Sequence, residues 1–161
     1  MLETLIIGCG SPLRGDDGFG WHAAARLSAA VDGKNVSVIA CHQLTPELAE
    51  AISRTDLVIF VDAAAVGTPG ELRIRRVASS TGSPTAFSHH VTPSGLLGWT
   101  REWFGRSPEA VMFSVCGENF DFSQTLSAIV EAAMARLIQR VLRLLDRRTR
   151  RAAKPGGHSG G

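Results

Sequence analysis

Five consecutive apolar residues, Leu57-Val58-Ile59-Phe60-Val61, run without interruption into an aspartate. A β-branched and aromatic run with no polar alternation suits a strand covered on both faces, and such strands belong to parallel sheets flanked by helices. The rest of the chain fits that frame. Thr4–Gly8 is a second short apolar run, Asn35–Ala40 a third and Ala110–Cys116 a fourth. Glu71–Arg76 alternates and carries charge, as an edge strand does. Between them lie helical stretches: Gly18–Val31, a helix from Thr45-Pro46 to about Ser53, one opened by Thr92-Pro93 to about Phe104, and a long one capped by Ser123 to about Leu145. The order β-α-β-α-β-β-α-β-α predicts a three-layer α/β/α sandwich with a mostly parallel central sheet.

At 161 residues the chain holds one core. A single domain is expected over 1–146, followed by a basic, Gly-rich, disordered tail over 147–161. Five cations lie in that tail with no acid; without them 12 basic residues face 15 acidic ones, so the body carries −3. The tail lacks the interleaved aromatics of a nucleic-acid binder, so no nucleic-acid partner is expected. No apolar run reaches the ~20 residues of a membrane span. The start lacks the basic region of a signal peptide, so a cytoplasmic location is expected. Cys9, Cys41 and Cys116 form no CxxC pair and read as small, partly buried thiols.

Ligands of a parallel sheet sit beyond the carboxyl ends of its strands. Three polar groups are expected there. After the first strand come Asp16-Asp17, inside Gly8-x-Gly10 and Gly18-x-Gly20. Asp62 ends the central strand, and Ser88-His89-His90 lies in the loop before the third helix. A dinucleotide fingerprint starting at Gly8 needs glycine at position 13, where Leu13 stands. Two carboxylates held close must share a proton or a cation. With an imidazole from His90 or His89 they suit zinc, nickel or manganese, and leave positions open for a substrate. Asp16 is expected to cap the helix that follows it. His42 is expected to support the site or pack beside it, Glu118-Asn119 to lie at its rim, and His22 to be a satisfied side chain. Trp21, Trp99 and Trp103 are expected to pack.

Taken together, these segments resemble the hydrogenase maturation endopeptidases. The matches are Gly8-x-Gly10 with Asp16-Asp17-Gly18-x-Gly20, then Phe60-Val61-Asp62-Ala63, then Ser88-His89-His90, with His42-Gln43-Leu44-Thr45-Pro46-Glu47-Leu48 between them. The resemblance covers about residues 1–145. It implies an aspartic-type endopeptidase activity that clips the C-terminal extension from the large-subunit precursor of a nickel–iron hydrogenase after nickel loading. It also implies that Asp17, Asp62 and His90 are both the catalytic residues and the metal ligands, and that the divalent metal is nickel supplied by the substrate. Ser11 departs from the pattern, which often has asparagine there. Two other families share pieces of this layout. A phosphorelay receiver also places acids after its first and third strands, but needs a lysine after its last strand; the only lysines here are Lys34 and Lys154. A peptidyl-tRNA hydrolase resembles Gly8-x-Gly10-Ser11-Pro12 and His22, yet gives the Asp-Asp pair no role.

Overall fold

A computed structural model describes residues 3–31, 33–80 and 90–154. Five strands form one sheet: β1 (Thr4–Cys9), β2 (Val36–Cys41), β3 (Leu57–Ala64), β4 (Leu72–Arg76) and β5 (Glu109–Cys116). Their order is β2-β1-β3-β5-β4. β1 pairs in parallel with β2 and β3, and β3 with β5; only β4 is antiparallel, on β5. The central run is the middle strand, as an unbroken apolar stretch requires. The charged Leu72–Arg76 stretch takes an edge.

Alternation across the sheet sorts the core into two layers. Ile6, Ile59, Val61, Phe113 and Val115 face α1 (Phe19–Ala30) and α4 (Ala128–Ala153). Leu5, Ile7, Val58, Phe60 and Ala110 face α2 (Leu48–Ser53) and α3 (Pro93–Phe104). The expected sandwich is therefore the observed one. Among the described residues no helix is long and apolar enough to cross a membrane.

Three expectations about the helices shift. Ser127, not Ser123, precedes the last helix, whose first residue is Ala128. Ser123 instead bonds into the loop before it: its backbone N–H donates to the Leu13 carbonyl, and its carbonyl accepts from Gly15. The tail boundary also moves, because α4 stays helical through Ala153. Arginine and alanine are good helix formers, and Arg148 pairs with Glu109 of β5 at 2.5 Å. Residues 155–161 lie outside the described residues. Trp103 does not pack into the core; it is 54% exposed and stacks flat on Trp99.

Candidate active site

The strand order puts a crevice at the carboxyl ends of β1 and β3, because the chain leaves β1 toward β2 on one side while β3 lies on the other. Gly8 stands opposite Val61 in the pairing, so Cys9 and Asp62 follow one step on along neighbouring strands. Cys9 in turn pairs with Cys41. By parity Cys41, Cys9 and Asp62 lie on the α2/α3 side of the sheet.

The glycines flanking the Asp-Asp pair make this corner compact. A Cβ on Gly20 would lie 2.3 Å from the carbonyl oxygens of both Cys9 and Val61, and one on Gly8 would lie 2.0 Å from the Gly20 carbonyl. The start of α1 therefore rests backbone to backbone on β1 and β3. Gly10 adopts φ 141°, and a Cβ there would meet the Asp17 carbonyl at 1.8 Å. The spacing that fails as a dinucleotide fingerprint succeeds as a close-packing device.

Asp16 and Asp17 sit in a short 3₁₀ turn, Gly15–Gly18, ahead of α1. Their side chains part company. Asp17 faces a cavity of about 300 Å³ and accepts the Ser11 N–H at 2.9 Å. Asp62 lines the same cavity, as do Cys9, His42, Val91 and Met112. Its Oδ1 accepts the Ala63 N–H at 2.7 Å. Burial pushes the Asp62 carboxyl up to about 6; the Ala63 bond opposes this and the charge of Asp17 adds to it. A carboxyl so placed binds a proton readily, or a cation in its stead.

Asp16 turns the other way and is fully buried. Its Oδ2 accepts from the Glu118 and Asn119 N–H groups at 2.8 and 2.9 Å and from the Ser127 hydroxyl at 2.8 Å; its Oδ1 accepts the Ser127 N–H at 2.7 Å. Burial alone would raise its pKa, but these bonds together carry it below the usual value. Asp16 does not cap α1, as the sequence led us to expect. It ties the β1 loop to the β5–α4 loop. Glu118 and Asn119 thus serve Asp16 through their backbones rather than forming the rim.

His90 is exposed and directly precedes Val91, Thr92 and Pro93, all of which line the cavity. His90 itself is not part of the lining, and His89 lies outside the described residues. The structure therefore brings Asp17 and Asp62 together with His90 next door. Among the described residues no three His, Cys, Asp or Glu side chains stand close enough to hold a metal ion. Thr92 caps α3 by accepting the Gly95 N–H at 3.0 Å, which fixes where the His90 segment leaves the helix.

His42 lines the cavity and meets Trp21 edge to face at 5.1 Å, consistent with a packing role. The Nε2 of His22, expected to be satisfied, is buried without a hydrogen-bond partner among the described residues. All three cysteines are free. The Cys9 and Cys41 sulfurs lie 3.4 Å apart at the edge of the cavity, a proximity the isolated cysteine spacings did not reveal. The bond to Cys41, burial and the nearby carboxylates Asp62 and Asp17 push the Cys9 thiol up, so it stays protonated and is a poor nucleophile. Recognising the pair needed the β1–β2 register, which no local motif encodes.

No protein-family model matches the chain, and no curated protein matches it significantly. Solved structures do. A NiFe hydrogenase maturation protease from Thermococcus kodakarensis KOD1 is 24% identical, with a TM-score of 0.73 over 89% of this chain and 92% of that one. A hydrogenase 2 maturation peptidase from a Thaumarchaeota archaeon is 26% identical, with a TM-score of 0.68 over 89% and 98%. A hydrogenase maturating endopeptidase from E. coli is 21% identical, with a TM-score of 0.70 over 91% and 93%. The fold of this chain is that of the hydrogenase maturation endopeptidases.

Proposed function

We propose that the chain is an endopeptidase that removes the C-terminal extension from a nickel–iron hydrogenase large-subunit precursor after nickel insertion. The observation that carries this reading is the pair of carboxylates, Asp17 and Asp62, lining one cavity at the carboxyl ends of β1 and β3. Their donor set fits a divalent ion: two carboxylates, one of them with its pKa raised by burial and by its neighbour's charge, gain from a shared cation. That ion would be the precursor's own nickel, hence part of the substrate. Asp17, Asp62 and the imidazole of His90 would hold it, and its chemistry would be to polarise the scissile carbonyl or activate water.

The chain's own residues do the rest. The backbone contacts at Gly8 and Gly20 hold the Asp17 loop at a set distance from β3. Phe60, Val91 and Met112 give the cavity apolar walls that limit water around the carboxylates. The Ser11 N–H orients Asp17 and the Ala63 N–H orients Asp62, each leaving its other carboxylate oxygen for a ligand. We expect the reaction to run in the cytoplasm, with the precursor as partner.

The test is incubation with nickel-loaded and metal-free precursor, reading the precursor's C-terminus by mass spectrometry. Cleavage of the nickel-loaded form alone is expected. Asp17→Asn and Asp62→Asn should each slow it at least about a hundredfold, since amides bind divalent ions far more weakly than carboxylates. Cleavage at the wild-type rate by Asp62→Asn would refute the assignment.

A further inference from the structure

On the opposite face of the sheet from the carboxylates, a groove of about 480 Å³ runs between the edge strand β4 and helix α4. Its floor includes Ile74, 44% exposed, and the half-buried Leu144. Its walls carry Arg76 from β4 and Arg140, Arg143 and Arg147 from α4. The last three recur at i+3 and i+4 and so form one stripe along the helix. None of these three makes an ion pair with a described residue. The one carboxylate on the rim, Glu109, is already held by Arg148.

So many like charges in one groove repel one another and weaken the fold. The chain has little with which to relieve them. Residues 81–89 and 155–161 contain no acid. The groove therefore offers exposed cations with which an acidic ligand would pair. Two features give the visitor's chemistry. Apolar side chains between the arginines call for a ligand with apolar groups of its own. Beside them, β4 pairs with β5 along one edge and with no described strand along the other, so a row of backbone donors and acceptors stands open to an added strand. Nucleic acid fits less well, because among the described residues the only aromatic ring in the groove, Phe113, is 2% exposed and offers no face for a base.

We infer that this groove docks an acidic, extended segment of a partner polypeptide, which adds alongside β4 with its apolar side chains over Ile74 and Leu144 and its carboxylates on Arg76, Arg140, Arg143 and Arg147. The site is separate from the Asp17–Asp62 cavity, and binding there does not depend on peptidase activity.

The test uses the full chain and a labelled short peptide of alternating glutamate and valine, followed by fluorescence anisotropy. Saturable binding is expected, weakening as salt is raised. The charge-reversed variant Arg140→Glu/Arg143→Glu/Arg147→Glu, checked for an unchanged circular dichroism spectrum, should lose at least about tenfold in affinity. A peptide N-methylated at alternate amides keeps its charge but cannot pair with a strand edge, and should lose a similar factor on the unaltered protein; this arm stands even if the charge-reversed variant fails to fold. Equal binding of the N-methylated peptide would reduce the groove to a diffuse cationic surface and overturn the proposal. So would tighter binding of single-stranded RNA or of anionic lipid vesicles than of the peptide. Self-association of the free chain that excludes the peptide would also overturn it, giving the groove to a second copy.

Discussion

Two carboxyl groups, Asp16 after β1 and Asp62 near the end of β3, have opposite surroundings. Asp16 accepts four hydrogen bonds and its pKa is depressed; Asp62 accepts one, faces the charge of Asp17, and is raised to about 6. The first has its bonding capacity filled by the protein. The second retains capacity for something else. That difference separates an aspartate satisfied within the fold from one with bonding capacity to spare, although the residue type is the same at both positions.

The largest effect expected from this contrast is on stability at Asp16. Asp16→Ala would leave the part-buried N–H groups of Glu118, Asn119 and Ser127 without their acceptor and should cost about 2–3 kcal/mol, read as a lowered urea midpoint. Asp62→Asn should do the reverse. The pKa of Asp62 in the folded state lies above its ordinary value of 3.8, so the protonated form favours folding; that contribution is complete below about pH 4 and is lost as pH rises through about 6. At pH 7 the amide should therefore be more stable than wild type by about 1 kcal/mol, after discounting for solvent screening, with the gap closing by pH 4. Asp16 has the opposite sign: its pKa is lowered, so its contribution is present at neutral pH and lost as pH falls through the depressed value. Thermal melts of both variants across pH 4–7 would break the comparison if the two curves moved in the same direction. The smallest effect belongs to the C-terminus. Truncation after Asp146 removes Arg148 from its part-exposed pair with Glu109 and the last turns of α4, and should cost no more than about 1 kcal/mol while leaving precursor cleavage unchanged.

What the sequence conveyed and what it concealed divide along the same line. Apolar runs report burial on two faces, so β1, β3 and β5 and the charged edge β4 were legible, and with them the convergence of Asp17 and Asp62. Thr92-Pro93 is a local cap and was read correctly. Asp16 was misread because its four donors come from more than a hundred residues away, a relation without period or motif. The same holds for Cys9 beside Cys41 and for the arginine groove, which exists only once α4 lies across β4. The full extent of α4 is not legible in the arginine-rich stretch, where charge density suits a solvated tail as well as a helix; arginine and alanine sustain the helix and the Arg148–Glu109 pair anchors it.

The bond from Ser127 to Asp16 also has a consequence in time. The loop that carries Asp17 and its anchor at Ser127 are far apart in the chain, Asp16 and Ser127 by 111 positions. Such distant contacts form late in folding. Until Ser127 reaches Asp16, the β1 loop is held on its α1 side by the close contacts at Gly8 and Gly20, and its Asp16 side lacks its anchor.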